Sequence, residues 1–333
     1  MKIKDTVGID VSKKTIDVVL HLLGTHKQFE NNHGGFNQML KWIIKLTPLN
    51  LDEILFCFEH TGIYSMALAS YLQEKKINYV IESGLAIKKS GGLEFSRGKN
   101  DKVDAKRIAH YAYLRRSELK QVDLPSKNVF RLKNLLTLRE RMVVERAAYR
   151  TQTKEFKNIL PKGVNRVFFD VQDKMIKVLE KQILKLETEI KLIVHEDLRL
   201  KELYELITTV KGVGFVLGVN LIVVTNCFTR FENSRKFACY SGIAPFETQS
   251  GTSINKRSKI SHYANKKIKK LIHMAALSAI RHDPEMKLYY HNRVEKGKGK
   301  MSTINIVRNK IIGRVFAVVK RGTPFVAIMQ YAK

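Results

Sequence analysis

Thr6-Val-Gly-Ile-Asp-Val11 is a short apolar run that contains one acid, Asp10, and the turn Ser12-Lys-Lys14 follows it directly. Two more extended runs come next, Thr15 to Leu23 and Thr25 to Glu30. Because strands joined by so short a link form hairpins, the sequence predicts an antiparallel start to a sheet. An acid in the middle of a buried strand needs a partner or a metal ion, so Asp10 is the first candidate functional residue.

The segment after the hairpin alternates helical and extended patterns. Four elements are predicted: a helix over Gly35 to Leu46, a buried strand over Glu53 to Phe58, a helix ending near Lys75 and a strand over Asn78 to Ile81. An antiparallel hairpin followed by α/β units is the element order of an RNase H-like fold. In that fold the strand of Asp10 is a neighbour of the strand that ends at Glu59.

Lys99-Asn-Asp-Lys-Val-Asp-Ala105 has the sequence of a helix start. Asn100 is a favourable N-cap residue, because its side-chain oxygen accepts a hydrogen bond from a free N–H of the first turn. Asp101 and Asp104 then lie three residues apart and project from one face of the helix. Two carboxylates this close repel each other unless a cation lies between them.

In the predicted sheet, the helix of Asp101 and Asp104 packs across the edge that holds Asp10 and Glu59. We therefore expect the four carboxylates to meet around one or two Mg²⁺ ions, or Mn²⁺ in their place, since hard oxygen ligands suit these ions. The alternative is that the two helix acids only pair with basic neighbours on their own helix. The Gly- and Lys-rich segment from Ser83 to Lys99 predicts a loop, which either holds a nucleic-acid backbone or is a solvated connection.

The charge of the chain indicates a polyanionic partner. Its 333 residues contain 60 Lys and Arg against 31 Asp and Glu, a formal net charge of +29, and 44% are hydrophobic, as in a globular protein. A membrane partner is not expected, because the basic residues are spread along the chain and no apolar run reaches the roughly 20 residues that span a bilayer. Three widely separated cysteines predict neither a disulfide framework nor a zinc site, so we expect a cytoplasmic protein with buried thiols.

Two long helices are predicted in the middle of the chain. The first opens at Pro125 and runs to Leu160, and residues 127–166 carry 11 Lys and Arg against 3 Glu, a balance that suits contact with phosphates. The second has a heptad seam of apolar residues: Ile176, Leu179, Ile183, Leu186, Ile190 and Ile193. The sequence therefore predicts a coiled-coil hairpin, and the seam serves either that hairpin or a contact between subunits.

The last third of the chain predicts a mostly α-helical domain with a strongly basic end. From Gly251 onward there are 19 Lys and Arg against 3 Asp and Glu, which favours contact with a nucleic-acid backbone. Val210-Lys-Gly-Val-Gly214 has the pattern of a helix-hairpin-helix turn, or is a tight helix connection. The segment from Tyr240 to Thr252 contains two Ser-Gly pairs, at Ser241 and Ser250, in a sequence that predicts turns.

Five motifs together resemble those of one family of mobile-element enzymes. They are Gly8-Ile-Asp-Val-Ser-Lys13, Phe58-Glu-His-Thr-Gly62, Lys99-Asn-Asp-Lys-Val-Asp-Ala105, Val210-Lys-Gly-Val-Gly214, and Tyr240-Ser-Gly-Ile-Ala-Pro245 with Gln249-Ser-Gly251. In this combination the chain resembles, along nearly its whole length, the transposases of the insertion-sequence 110 family, the Piv-like recombinases. Asn100 and Ser241 depart from the family pattern, where Thr and Ala are expected.

The resemblance implies an organisation and a set of partners. It implies a RuvC-like, RNase H-fold domain at 1–122, a helical coiled-coil hairpin at 123–200 and a C-terminal transposase domain at 201–333. It also implies a structured guide RNA from the element, a bridge RNA that pairs with double-stranded donor and target DNA. Strand exchange between two duplexes needs several active sites, so we expect a homo-oligomer, a dimer or a tetramer.

The same resemblance implies roles for the candidate residues. The four acids would form an Asp-Glu-Asp-Asp metal site, and Ser250 would be the catalytic serine, which attacks a phosphodiester to give a phosphoserine intermediate. Metal ions at the acids would activate that serine, so the site would combine two domains. Ser241 is the alternative nucleophile, because its Ser-Gly context is similar.

Three functions from different classes follow from these observations. The first is an RNA-guided DNA recombinase that excises and inserts its own insertion sequence. The second is a metal-dependent, RuvC-like endonuclease that cleaves junctions without a serine intermediate. The third is a non-enzymatic RNA chaperone, which has no reason to keep four acids together. We expect the first, in the bacterial cytoplasm and on the nucleoid when bound to DNA.

Overall fold

The first five strands form one mixed sheet. In the computed structural model, the sheet has the order β3-β2-β1-β4-β5. The strands are β1 (Asp5–Val11), β2 (Thr15–Leu20), β3 (His26–Glu30), β4 (Ile54–Glu59) and β5 (Tyr79–Glu82). β2 pairs antiparallel with β1 and β3, whereas β4 pairs parallel with β1 and β5, which is consistent with the predicted RNase H-like fold. β2 is shorter than predicted because the chain already turns back at Leu20, whose N–H donates to the Thr25 carbonyl (3.2 Å).

The structure describes residues 3–59, 61–90, 100–119, 124–160, 163, 165–250, 254–259 and 264–327, and at 90, 246–250 and 254–259 the description covers the backbone. The chain forms two compact units, Met1–Leu124 and Pro125–Lys333. Each unit has a hydrophobic core of its own. The division into three domains stays a prediction.

Helices cover both faces of the five-stranded sheet. They are α1 (His33–Leu46), α2 (Tyr64–Glu74), α3 (Gly84–Ser90) and α4 (Asp101–Arg115). α1 and α2 share a core with Val7, Ile9 and Val11, the alternate residues on one face of β1. α4 contacts β1, β2 and β4, on the face that holds the intervening β1 residues. α3 forms where the sequence predicts only a loop, and positions 91–99 of that loop lie outside the described residues.

The two long helices of the second unit run antiparallel. α5 (Lys127–Ile159) and α6 (Arg166–Glu196) are joined by ion pairs whose order reverses along the chain, Arg139 with Glu187 (2.5 Å) and Lys157 with Asp173 (3.7 Å). Four residues of the predicted seam are buried: Leu179, Ile183, Ile190 and Ile193. This seam therefore serves the pairing of the helices within the chain.

The base of the long helices shares a core with the C-terminal helices. The later helices are α7 (Leu198–Thr208), α8 (Phe215–Thr225), α9 (Ser234–Ser241), α10 (Lys266–His282), α11 (Pro284–Glu295) and α12 (Lys300–Arg321). Leu132 of α5, Ile190 of α6 and Ile311 of α12 belong to one buried cluster. Val210 and Val213 are buried in the same cluster, so the Gly-x-Gly segment is a packed connection between α7 and α8.

A two-stranded hairpin lies where the sequence predicts turns. β6 (Phe246–Ser250) pairs antiparallel with β7 (Ile254–Lys259), and the register shifts between Phe246 and Thr248. The Ser-Gly pairs are turn signals, and the run between them, Ile243-Ala-Pro-Phe-Glu-Thr-Gln249, shows no period of two. The prediction of an irregular segment is therefore wrong for the backbone of this hairpin.

Two expectations from composition can be compared with the structure. Across the described stretches of the chain, no helix is long and apolar enough to cross a bilayer. The three cysteines are free, and Cys57 is buried whereas Cys227 and Cys239 are partly exposed. The expectation of buried thiols therefore holds for Cys57 alone.

Candidate active site

α4 packs against β1 with backbone touching backbone. The Thr6 hydroxyl donates a hydrogen bond to the Ala109 carbonyl (2.8 Å). At Gly8, an added Cβ would lie 2.2 Å from the Ala109 nitrogen and 2.3 Å from the Ala105 oxygen. Glycine is therefore required at this position, because any side chain would separate the helix from the strand.

This packing brings the start of α4 to Asp10. Position 109 of the helix lies beside position 6 of the strand, and position 105 lies beside position 8, so the first turn of α4 lies beside position 10. Asn100 caps the helix as predicted, since its Oδ1 accepts a hydrogen bond from the Lys102 N–H (3.0 Å). Asp101 and Asp104 lie in this first turn.

Glu59 reaches the same place through the sheet. β1 and β4 are parallel, and Ile9 lies opposite Phe58. The next residues along these strands, Asp10 and Glu59, are therefore neighbours near the carboxyl ends of the two strands. The predicted adjacency of these two strands is confirmed.

The pKa of the Asp10 carboxyl group reflects the negative charge of the other acids near it. Its pKa is raised from 3.8 to about 6, first by burial and then by the negative charges of Asp101, Asp104, Asp17 and Glu59. Three of these four neighbours are the acids that the sequence selects. The fold therefore gathers the predicted carboxylates into one patch of excess negative charge.

The patch is not arranged as a closed set of metal ligands. Within the described residues, no three His, Cys, Asp or Glu side chains are grouped around one point. Asp104 instead accepts a hydrogen bond from the Arg107 guanidinium (2.8 Å), which is the alternative that the sequence leaves open. Like charges repel, so an acid with a cationic neighbour turns toward it. The carboxylate oxygens are still hard donors in one negative patch, and this donor set fits Mg²⁺ or Mn²⁺.

Asp17 belongs to the same patch and is not among the predicted residues. It lies directly opposite Asp10 in the β1–β2 pair and is only 5% exposed. Its Oδ1 lies 2.7 Å from His26 Nε2, and its Oδ2 accepts a hydrogen bond from Gln28 Nε2 (2.9 Å). Because β3 engages both oxygens, Asp17 acts on Asp10 as a fixed charge. The short turn between the strands fixes this register, and that was the signal in the sequence.

Glu82 extends the row of acids to the edge of the sheet. It pairs with Glu59 in the β4–β5 register, and burial raises its pKa. Neighbouring strands therefore carry acids at matched positions: Asp17, Asp10, Glu59 and Glu82. The sequence interpretation ended this strand at Ile81 and so omitted Glu82.

Gly84, the first residue of α3, leaves room for the Glu59 side chain. An added Cβ at Gly84 would lie 2.1 Å from Glu59 Oε1. The obstacle is the end of a flexible side chain, so a methyl group here would displace the carboxylate and spare the backbone.

We expect Gly84→Ala to weaken Mg²⁺ binding with little change in the fold. Moving one carboxylate out of the patch should weaken Mg²⁺ binding. The Mg²⁺ concentration that gives half of the maximal rise in melting temperature should therefore increase by about tenfold. Thermal unfolding at a series of Mg²⁺ concentrations measures this. Gly34→Ala is the matched control, because its Cβ meets only the end of the Asn32 side chain (3.3 Å). An unchanged Mg²⁺ dependence in Gly84→Ala would remove Glu59 from the set of Mg²⁺ ligands that the sequence predicts.

The two candidate serines differ in their surroundings. Ser250 is the last residue of β6, and its backbone pairs with Ile254. Ser241 ends α9, is fully buried and donates a hydrogen bond from Oγ to the Ala238 carbonyl (3.2 Å). A nucleophile must meet its substrate, so the burial of Ser241 argues against it.

The basic residues near the end of the chain lie mainly on the surface. Nine of them on or beside α10, α11 and α12 are exposed: Lys266, Lys270, Arg281, Lys287, Lys296, Lys298, Lys300, Lys320 and Arg321. Exposed lysines of this kind suit contact with a phosphate backbone. Arg308 and Arg314 of α12 are exceptions, since Arg308 is buried and the side chain of Arg314 is only 13% exposed.

Two family models match the parts of the chain that contain the acidic patch and Ser250. A transposase model for the DEDD enzymes of IS110 matches residues 7–160, which include the acidic patch. A second model, described as "Transposase IS116/IS110/IS902 family", matches residues 204–291, which include Ser250. The chain belongs to the IS110 family of transposases. Transposases cleave and rejoin DNA, so the class of enzyme and its DNA substrate follow for this IS110-family transposase.

Several known proteins are similar to this IS110-family transposase. The pilin gene-inverting protein of Moraxella lacunata is 28% identical over 328 residues, which cover 97% of this chain and 98% of the relative. That of Moraxella bovis is 27% identical over the same lengths. An IS110 insertion-element protein of Streptomyces coelicolor is 27% identical over 117 residues, covering 35% of this chain and 29% of the relative.

Proposed function

We propose that this transposase excises and inserts its own insertion sequence through a covalent bond between Ser250 and DNA. The acids Asp10, Glu59, Asp101 and Asp104 are proposed to hold Mg²⁺ during the reaction. The observation that supports this is the docking of α4 on β1, which brings acids from separate parts of the chain to Asp10, whose pKa is raised to about 6 first by burial and then by the neighbouring negative charges. A stable patch of like charges of this kind is expected where a cation binds.

The proposed step conserves the energy of the phosphodiester bond. The Ser250 Oγ forms a bond to phosphorus, and the bond from that phosphorus to one deoxyribose oxygen breaks. The serine proton is transferred to the leaving oxygen, which departs as a hydroxyl group. Attack by a hydroxyl of another strand on the phosphoserine reverses the step and rejoins the DNA. Mg²⁺ at the acids would stabilise negative charge on the phosphate oxygens.

We propose that an element-derived guide RNA pairs with donor and target DNA and selects the sequences. Guided recognition leaves the protein to bind backbone and shape, which requires positive charge more than residues that read bases. The net charge of +29 and the exposed lysines near the C-terminus support this. Two of the relatives are named for gene inversion, a reaction that also joins DNA strands in new pairs.

We propose further that the active enzyme is a dimer or a tetramer. A second apolar row on α6 supports this, because it lies outside the seam buried against α5. Its members are exposed at a spacing of four, four and three residues: Val167, Val171, Met175 and Val178. Apolar rows with this spacing favour helix pairing between chains.

The alternative function is that of a metal-dependent, RuvC-like junction endonuclease. It is favoured by the confinement of the whole acidic patch to the first unit, Met1–Leu124. In this function water replaces serine as the nucleophile.

Ser250→Ala separates the two functions. We expect it to abolish covalent protein–DNA complexes, because alanine has no nucleophile, and Asp10→Ala to abolish them as well. The measurement uses labelled element-end DNA with the co-purified RNA, followed by denaturing electrophoresis. Ser241→Ala is the control and should keep the complexes. Cleavage that persists in Ser250→Ala and is lost in Asp10→Ala would support the endonuclease instead.

A further inference from the structure

The β6–β7 hairpin is tied to the helices at both of its ends. At one end, the Ile243 carbonyl accepts hydrogen bonds from Asn305 Nδ2 (2.7 Å) and Asn309 Nδ2 (3.1 Å) of α12. At the other end, Asn265 donates from its backbone N–H to the Tyr240 carbonyl and from Nδ2 to the Tyr240 hydroxyl, both at 2.9 Å. The chain is therefore held at Ile243, three residues before β6, and at Asn265, six residues after β7.

Arg308 fixes the orientation of Asn305. The Arg308 Nη1 donates a hydrogen bond to Asn305 Oδ1 (3.3 Å), one turn away on α12. With its oxygen facing a cation, the Asn305 amide presents its NH₂ group to the Ile243 carbonyl. Asn309 Nδ2 also donates to the Asn305 backbone carbonyl (3.0 Å), so both amides are fixed.

Arg308 is a cation enclosed by neutral groups. It is 6% exposed, its Nη2 lies 2.6 Å from His273 Nδ1 on α10, and its Nε has no hydrogen-bond partner among the side chains and backbone that the structure describes. Among the side chains that the structure describes, no Asp or Glu forms an ion pair with it. Arg314 on the same helix differs, because it pairs with Asp283 (2.8 Å) and Glu285 (2.6 Å). A buried cation without a carboxylate is costly, so stability alone does not account for Arg308.

His273 completes a polar connection from α10 to the hairpin. Its Nδ1 can accept from Arg308 only when the imidazole is neutral and carries its proton on Nε2. Burial and the charge of Arg308 both lower the pKa of His273, in agreement with this form. Hydrogen bonds therefore run from His273 through Arg308 and Asn305 to the Ile243 carbonyl.

We propose that His273, Arg308 and Asn305 are positioning residues that hold the base of the hairpin and so place Ser250 for attack. This rests on the proposed role of Ser250 as the nucleophile. Ser250 lies four residues beyond Phe246 along β6, about 13 Å from the start of the strand. A tilt of about 5° at the base would move the far end of such a strand by about 1 Å, enough to slow a reaction about a hundredfold.

Asn305→Asp tests the proposal in the full-length protein with its DNA and RNA. The new carboxylate keeps the size of the side chain and pairs with Arg308, but it cannot donate to the Ile243 carbonyl. We expect an unchanged or higher melting temperature, unchanged DNA affinity and a rate of covalent-complex formation lower by about 10- to 100-fold at saturating DNA. Asn292→Asp on the exposed face of α11 makes the same chemical change and should keep the wild-type rate.

Hydrogen exchange tests the hairpin without reference to the nucleophile. In Asn305→Asp, the backbone amides of Ala244 and of residues 246–250 should exchange faster than in the wild type, while those of α12 keep their protection. Unchanged exchange overturns the proposal. Faster exchange with an unchanged rate of covalent-complex formation overturns it too, because the base would then not place the reacting residue. Covalent complexes that persist in Ser250→Ala overturn the proposed nucleophile instead, a failure that neither measurement on Asn305→Asp would produce.

Discussion

Asp10→Asn is expected to stabilise the protein in a chelating buffer at pH 8 and to abolish strand cleavage. The rise in the pKa of Asp10 from 3.8 to about 6 means that the fold disfavours the charged form. At pH 8 the ionised carboxylate therefore costs at most about 3 kcal/mol of folding free energy, which asparagine avoids. The expected rise in melting temperature is several degrees, since about 1 kcal/mol shifts it by roughly 2–4 °C in proteins of this size.

The pH dependence of this effect has a definite sign. A pKa that is higher in the folded state stabilises the fold fully below the unfolded value of 3.8, and this contribution is lost as the pH rises through about 6. The advantage of Asp10→Asn should therefore be absent below about pH 4, grow between about pH 4 and 6 and stay constant above about pH 7. Thermal unfolding at a series of pH values measures it.

In the presence of Mg²⁺, the wild type should be more stable than Asp10→Asn. The ion stabilises whichever form binds it more tightly, and the wild-type patch has one more carboxylate. Asp170→Asn is the matched control, because Asp170 is exposed on α6 and far along the chain from the patch. Two results would contradict the proposed role of Asp10 as a Mg²⁺ ligand in a patch of like charges. One is an Asp10→Asn variant no more stable than wild type at pH 8, and the other is equal stabilisation of both proteins by Mg²⁺.

Gly8→Ala is expected to separate α4 from the sheet. The added Cβ would lie 2.2 Å from the Ala109 nitrogen, and backbone atoms cannot rotate away, so the helix must move outward by about 1 Å. Overpacking of this kind costs about 3 kcal/mol, which corresponds to a fall in melting temperature of roughly 10 °C. Because the same movement carries Asp101 and Asp104 away from Asp10, cleavage should fall about a hundredfold.

Two variants test the cause of that loss. Ala105→Gly combined with Gly8→Ala should restore neither stability nor cleavage, because the clash is with the Ala105 carbonyl oxygen, which glycine keeps. Gly34→Ala, where the Cβ meets only a side-chain end, should leave both near wild type. Rescue by Ala105→Gly would show that side-chain crowding, and not the approach of the two backbones, decides the position of α4. Circular dichroism melts and the covalent-complex assay provide the readouts.

Local sequence patterns predicted most of the first unit. The turn at Ser12-Lys-Lys14 indicated the hairpin, and the cap at Asn100 indicated the start of α4. These features depend on contacts between residues close in the chain, which periodicity and turn chemistry report directly. The predicted end of β2 was wrong, because the chain turns at Leu20 through a hydrogen bond to the Thr25 carbonyl, which the apolar run does not indicate.

Cross-strand register determined the positions of two acids that the sequence analysis did not select. Asp17 and Glu82 look like ordinary strand residues until pairing places them opposite Asp10 and Glu59. Gly84 likewise looks like a loop glycine until the Glu59 carboxylate is seen against it. The short turn at Ser12-Lys-Lys14 does report the register of Asp17 with Asp10, but Glu82 and Gly84 lie far from Glu59 in sequence, so no local pattern reports their relation to it.

The sequence by itself determined the chemistry available to this transposase: four acids at recognisable positions, two candidate serines and a large excess of positive charge. Only the tertiary structure decided how these groups relate. Backbone contact at Gly8 turned two acids on a helix into part of one patch with Asp10, because packing fixes distances that composition leaves free. The buried Arg308 became notable only when α10 and α12 enclosed it, since burial is a property of the folded chain.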